Sequence, residues 1–383
     1  MIYLDNAATS FPKPRCVADA MLNAQLQCSN PGRGGYFTTE RAGKIVFDVR
    51  HKLANFFSAK TENVIFTKNC TEALNTAIKG SVKTGDHVVI SSMEHNSVLR
   101  PIVKLKSQGK IQFDVFKVEP KSDDKTIENL IKCIRPNTRL IVCTHVSNVF
   151  GTVLPIKRIA EEAKKRNIVF VLDAAQSAGM FDVSFKNINA DIICLPGHKG
   201  LLGPMGTGVM VLSDKANCEE LIEGGTGSMS LVKNQPNIFP DKYESGTVNL
   251  PGIAGLGAGL DYIRRIGGVK VIREHEISLT KKALNEIKSI KNISVYDKLY
   301  SSQLAPIISL SVKGKHSEEV AEALGKMNIA VRGGYHCSYL AHNFYGTSKN
   351  GTVRVSTGIF NNESCIKNLC FCLNKIANGK HLC

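Results

Sequence analysis

Asp191-Ile192-Ile193-Cys194-Leu195-Pro196-Gly197-His198-Lys199-Gly200-Leu201-Leu202-Gly203-Pro204-Met205-Gly206-Thr207-Gly208 is the stretch around which the rest of the chain is organised. Its apolar run, Ile192 to Leu195, has strand character and leads into a glycine-flanked turn, so Lys199 sits where backbone can approach a ligand closely. Taken alone, a lysine in such a loop is most often a surface residue. Its company elsewhere in the chain argues for more.

Working outward, strand-like and helix-like segments alternate from Asn63 onward. Val64 to Phe66, His87 to Ile90, Phe113 to Val118, Leu140 to Cys143 and Ile168 to Leu172 read as strands, with helical stretches between them. Ile156, Ile159, Ala160 and Ala163 fall on one face of such a helix. This alternation predicts an α/β fold, a mostly parallel central sheet covered by helices, with ligands met at the carboxyl ends of the strands. Past Ser213 the pattern breaks into a Gly- and Pro-containing connector. A long helix is expected from about Ile253 to Ile290, then a compact α+β pattern that reads as a second, smaller domain.

The loops after the strands carry the chemistry-bearing residues. Asp173 ends a buried apolar strand, where an acid is costly unless it meets a cation or a donor. It reads as a capping or ion-pair residue, or as the partner of a protonated heterocycle. Thr67-Lys68-Asn69-Cys70-Thr71-Glu72 brings a hydroxyl residue into a helix with an acid in its first turn, which reads as an N-cap or as an anion site suited to phosphate. His95 and His145 both fall at strand ends, as does Asn148.

A lysine able to form a Schiff base, an acid for a pyridinium nitrogen, a phosphate cradle and an aromatic stacking residue are what pyridoxal 5′-phosphate needs. The chain resembles the class V aminotransferase family of fold-type I pyridoxal-phosphate enzymes, and within it the cysteine desulfurases. The motifs run nearly the full length: Tyr3-Leu4-Asp5-Asn6-Ala7-Ala8-Thr9, Asn30-Pro31-Gly32-Arg33-Gly34, His145-Val146-Ser147-Asn148, Asp173-Ala174-Ala175-Gln176, Gly197-His198-Lys199 and Glu244-Ser245-Gly246-Thr247. The resemblance implies a large cofactor-binding domain over 15–250 and a small domain formed by 1–14 with 251–383. It implies Lys199 as the Schiff-base lysine, Asp173 on the pyridine nitrogen and Gln176 on the ring hydroxyl. His95 would stack on the ring, with Asn148 beside ring and substrate and Ala7 near the substrate. Cys70, Thr71 and His198 would hold the phosphate, and Thr247 would reach it from the second subunit of a homodimer. Cys70 stands where a Thr or Gly is common, and Pro196 where a Ser often stands.

Val331-Arg332-Gly333-Gly334-Tyr335-His336-Cys337-Ser338-Tyr339 is the second informative stretch. A thiol on a Gly-flanked loop beside Arg332 and His336 has the mobility and positive surroundings that favour thiolate, although one more buried cysteine is the ordinary alternative. The loop resembles the Arg-x-Gly-x-x-Cys signature of group II cysteine desulfurases, with Tyr335 and Ser338 replacing the usual His and Ala. Arg354, on an alternating strand, can offer a planar fork to a carboxylate; the resemblance gives it the substrate α-carboxylate, with Arg332 as reserve. The implied reaction converts L-cysteine to L-alanine, leaves the sulfur as a persulfide on Cys337 and passes it to an acceptor protein or small thiol. Lys199 would move the α-proton, and His95 would serve the substrate thiol. Selenocysteine lyase and another class V aminotransferase are the alternatives.

Composition narrows the remaining classes. The chain has 383 residues, 43% hydrophobic and 21% charged, as expected for a globular protein. Its N-terminus lacks a basic region followed by an apolar stretch and no apolar run reaches membrane-spanning length, so a cytoplasmic enzyme without a membrane partner is expected. The 12 cysteines then read as reduced thiols. Cys365, Cys370, Cys372 and Cys383 match no paired Cys-x-x-Cys spacing, so no metal site is expected. The net charge of +16 is spread along amphipathic helices and calls for no nucleic-acid partner.

Overall fold

The computed structural model describes residues 1–32, 34–296 and 303–379. Arg33 of the second motif and Cys383 of the cysteine tail lie outside the described residues. The chain begins with β1 (Ile2–Tyr3), α1 (Arg15–Gln27) and α2 (Phe37–Phe57). The alternating region follows as β2 (Val64–Thr67), α3 (Cys70–Gly80), β3 (Asp86–Ser91), α4 (Asn96–Ser107), β4 (Ile111–Phe116), α5 (Asp123–Cys133), β5 (Thr138–Thr144), α6 (Ile156–Lys165), β6 (Val169–Asp173), β7 (Ile192–Pro196) and β8 (Gly208–Leu212). The remainder is α7 (Leu250–Arg265), α8 (Gly268–Lys288), β9 (Ile293–Val295), β10 (Ile307–Val312), α9 (Ser317–Lys326), β11 (Ile329–Ala330), α10 (Tyr339–Tyr345), β12 (Val353–Ser356) and α11 (Glu363–Ala377).

The fold is α/β, as the alternation predicts. Seven strands form one sheet in the order β2-β8-β7-β6-β5-β3-β4, in which β8 runs against its two neighbours and the other pairings are parallel. Successive residues of each strand go to opposite faces. Val64, Phe66, Ile141, Cys143 and Ile193 join one core, and Ile65, Leu140, Val142, Ile192 and Cys194 the other. Burial on both faces is why these strands read as unbroken apolar runs. β8 adds a strand that the sequence reading leaves inside the loop.

The helix expected from Ile253 to Ile290 is two helices. Gly267 and Gly268 interrupt it with φ of +105° and +85°, a left-handed conformation that glycine adopts without a Cβ clash. α7 packs against α1 and α2, so its apolar face joins the core under the large sheet although it follows residue 250. A separate core gathers Leu279, Ala283 and Ile287 of α8 with Leu4, β10, β12 and α11. β1 pairs with β11, which carries the amino terminus to this second core. Among the described residues, no helix is long and apolar enough to cross a membrane, and no group of three or more His, Cys, Asp or Glu stands ready for a metal ion.

Candidate active site

The carboxyl ends of β2, β3, β5, β6 and β7 open on a cavity of about 230 Å³, closed from the other side by β12 and the Cys337 loop. Its lining includes Ala7, Cys70, Thr71, His95, Asn148, Asp173, Gln176, His198, Lys199, Arg332, Cys337 and Arg354. Thr247 is the exception: it does not line this cavity and is exposed on the chain that carries it.

Lys199 follows β7, where the preceding peptide is gripped from the amino-terminal turn. The His198 carbonyl accepts from Thr9 Oγ1 at 3.0 Å, Ser10 N at 3.1 Å and Lys13 Nζ at 2.6 Å. Burial lowers the Lys199 amine from its ordinary value, and Asp173 opposes that shift. A lysine pushed this way more readily becomes the neutral amine that nucleophilic or base chemistry needs.

Asp173 is buried at the tip of β6. Oδ1 accepts from Ala175 N at 2.9 Å and from the Cys70 thiol at 3.7 Å, while among the described residues no hydrogen bond engages Oδ2. Burial raises this carboxyl, and a cation placed against Oδ2 would relieve the cost. The Cys70 side chain is therefore turned to the aspartate rather than to the helix start.

That start is capped by Asn69, not by a hydroxyl residue: Asn69 Oδ1 accepts from Glu72 N at 2.9 Å. An Asn three residues ahead of Glu72 was the signal for it. The amides of Cys70 and Thr71, the first two of α3, have no acceptor among the described residues. With the helix dipole they form an anion site. Thr71 Oγ1 meets Ser97 Oγ at 2.8 Å, and Ser97 Oγ meets His95 Nδ1 at 2.8 Å.

His95 caps α4. Its Nδ1 accepts from Ser97 N at 3.0 Å, which leaves Nε2 as the protonated nitrogen of the neutral ring. Burial, then the charges of Lys199 and nearby arginines, hold it down to about 4, so at neutral pH it offers a donor and no imidazolium. His198, likewise pushed down to about 4 by burial, lines the cavity, and its Nδ1 has no partner among the described residues. His145 turns away, packing on Phe181 at 5.0 Å between centroids, and is not part of the site. Glu94, which the sequence reading leaves without a role, is fully buried beneath. It accepts from Ser91 Oγ and from Thr144 N at 2.9 Å.

Arg354 is 2% exposed and reaches the cavity from β12. Nη2 pairs with Asp5 Oδ1 at 2.6 Å, Nη1 donates to the Asn148 carbonyl at 2.9 Å, and Nε has no partner among the described residues. A buried guanidinium with a spare donor suits a carboxylate ligand. Arg332 pairs with it through backbone bonds of 2.8 and 3.3 Å. Gln176 Nε2 donates to the Ala7 carbonyl at 2.9 Å. Cys337 is exposed, and its loop is tied at several points: Cys337 O accepts from Asn96 N at 2.8 Å, and the Gly334 amide and carbonyl are both bonded to Thr352.

A buried lysine on a turn, a buried aspartate and the amides of a helix start meet at the carboxyl ends of a mostly parallel sheet, an arrangement suited to an α/β enzyme, and the chain belongs to the class V aminotransferase family, which matches residues 2–369. Its relatives narrow this further. A probable cysteine desulfurase of Methanothermobacter thermautotrophicus is 34% identical over 387 residues, covering 98% of this chain and 94% of that protein. A cysteine desulfurase of Wigglesworthia glossinidia brevipalpis is 34% identical over 390 residues, covering 98% and 92%. Among solved structures, the apo cysteine desulfurase from Thermococcus onnurineus NA1 superposes with a TM-score of 0.92 at 31% identity, covering 99% of this chain and 95% of that one.

Proposed function

We propose that the chain is a pyridoxal-phosphate-dependent cysteine desulfurase that takes sulfur from L-cysteine, releases L-alanine and carries the sulfur on Cys337 as a persulfide. The observation that carries the reading is an exposed thiol in the same cavity as Lys199 and Asp173. An amino transfer would have no use for it.

The residues fit the cofactor. Lys199 would take its aldehyde, Asp173 Oδ2 would accept from its ring nitrogen, and the amides of Cys70 and Thr71 with His198 Nδ1 would donate to its phosphate. Gln176 would serve the ring hydroxyl, and His95 would stack on the ring with Nε2 free to donate. When bound, the cofactor stores the electron pair left at the substrate Cα.

Arg354 holds the substrate carboxylate, with Asp5 fixing the plane of its fork; Arg332, Asn148 and Ala7 complete the substrate site. Lys199, as the neutral amine, removes the Cα proton. The Cys337 thiolate attacks the substrate sulfur, forming a sulfur–sulfur bond as the carbon–sulfur bond breaks. The electron pair stays with Cβ, which takes a proton and becomes the methyl group, and Lys199 returns the proton to Cα so that alanine can leave. An acceptor protein or small thiol then removes the sulfur from Cys337, whose exposure supports such access.

We place the enzyme in the cytoplasm and infer a homodimer in which Thr247 reaches the phosphate of the partner's site. Its exposure supports that, as do the exposed apolar side chains of Leu22, Phe37, Phe47 and Leu231. The domain division at about residue 250 belongs to the same reading.

Lys199→Ala tests the proposal. The variant should lose the lysine-linked visible absorbance of the cofactor and all alanine formation from cysteine, and the wild type should be assayed with selenocysteine alongside. A lysine-linked chromophore that persists in the variant would contradict the assignment.

A further inference from the structure

Asn148 lines the cavity, yet both ends of its side-chain amide are spent on the thiol loop. Nδ2 donates to the His336 carbonyl at 2.7 Å, and Oδ1 accepts from Ser338 Oγ at 2.6 Å. The His336 carbonyl can only accept, which fixes the orientation of the amide. The two bonds flank Cys337 on either side in sequence. Ser338 is completely buried and Asn148 is 9% exposed, so neither bond has water as a ready substitute.

The backbone between them is unusual. His336 and Cys337 have φ of +49° and +57°, two successive side-chain-bearing residues in the left-handed region. Such a conformation persists only where surrounding contacts impose it. Further constraints come from Asn96 N on Cys337 O at 2.8 Å, Ser338 N on Tyr335 O at 3.0 Å, His336 Nε2 with the Thr352 carbonyl at 3.0 Å, and Ser338 Oγ on the His336 carbonyl at 3.4 Å. The Cys337 thiol itself makes no hydrogen bond among the described residues, so the backbone is held while the sulfur stays free.

We propose that Ser338 and Asn148 form a latch that fixes Cys337 in the conformation presenting its thiol to the substrate sulfur, with Ser338 as a positioning residue for the transfer. The proposal rests on Cys337 being the sulfur acceptor. The latch also joins the substrate end of the site, because the Asn148 carbonyl takes the bond from Arg354 Nη1. The arginine for the carboxylate and the thiol for the sulfur thereby hang on one residue. Loss of the Ser338 hydroxyl leaves Asn148 Oδ1 without its donor and lets the loop leave the presenting conformation for part of the time. The rate of transfer falls by that fraction while cofactor and substrate still bind.

The test compares cofactor-loaded wild type with Ser338→Ala, Ser338→Thr and Cys337→Ala. Ser338→Ala should lower kcat for alanine formation by about tenfold, the effect of one lost buried hydrogen bond. KM for cysteine should stay within about twofold and the cofactor absorbance unchanged. Ser338→Thr, which restores the hydroxyl, should recover most of the rate. Iodoacetamide should label Cys337 in Ser338→Ala no more slowly than in the wild type, since the thiol is exposed in both. Wild-type kcat in Ser338→Ala beside an inactive Cys337→Ala would overturn the latch and leave the sulfur assignment standing, as would equal losses in the Ala and Thr variants. A Cys337→Ala protein that turns over cysteine normally would instead remove the assignment beneath it.

Discussion

At Asp173 the two oxygens of one carboxylate do different things. Oδ1 is occupied by Ala175 N and the Cys70 thiol, which leaves Oδ2 for whatever enters the cavity. Behind it, Glu94 is buried as deeply and meets no cation among the described residues. Burial first, and the charge of Asp173 with it, raise this carboxyl to about 8 against the hydrogen bonds from Ser91 and Thr144, so Glu94 carries its proton at neutral pH. Its folded value lies above the ordinary carboxyl range. The stability it contributes is therefore full below about 4.5 and is lost as pH rises to about 8. Glu94→Gln keeps an acceptor for Ser91 and Thr144 but does not titrate. Urea midpoints at pH 5 and pH 8 should thus differ less in Glu94→Gln than in the wild type; an unchanged difference would show that Glu94 does not carry the buried proton.

Among the elements, α3 depends on how closely β8 can pass it. Gly208 pairs with both Thr67 and Pro196, and a Cβ there would lie 2.4 Å from the Asn69 carbonyl carbon. Asn69 is the cap of α3, so Gly208→Ala pushes on the backbone that aims the Cys70 and Thr71 amides. It should cost about 1–3 kcal/mol in denaturant unfolding and weaken cofactor binding measured by absorbance titration. Unchanged affinity would mean that the helix start does not depend on this contact.

The same region shows what the sequence could and could not say. The parallel strands were legible because burial on both faces makes continuous apolar runs, and the site residues because they follow those runs directly. β8 was not read as a strand: Val209 to Leu212 is as apolar and as buried as the parallel strands, but it follows directly on the Gly- and Pro-rich turn after Lys199, with no helical stretch to set it apart from β7. The break between α7 and α8 was written only in Gly267-Gly268, inside a sequence otherwise periodic as one helix. The grip of Asn148 on the Cys337 loop joins residues 188 and 190 positions apart and has no local signal. His145 and His95 stood at equivalent strand ends. Only packing separates the one facing Phe181 from the one facing the cavity.

In the whole molecule, the residues assigned to the cofactor and those assigned to the substrate come from different parts of the chain. Lys199, Asp173, His95 and the start of α3 stand on the edge of the large sheet, whereas Arg354 and Cys337 come from the structure built around the second core. Asp5, paired with Arg354, arrives from the amino terminus, which β1 ties to β11. Bringing the thiol and the lysine into one cavity is thus a property of how these parts pack. Cysteine should therefore leave its sulfur on one particular residue. The most direct measurement is the mass of the Cys337 peptide after the cofactor-loaded enzyme has been given L-cysteine, with alanine counted in the same sample. The account predicts one added sulfur on Cys337 for each alanine formed in the first turnover. Alanine formed with Cys337 unmodified, or with the sulfur on another cysteine, would contradict it.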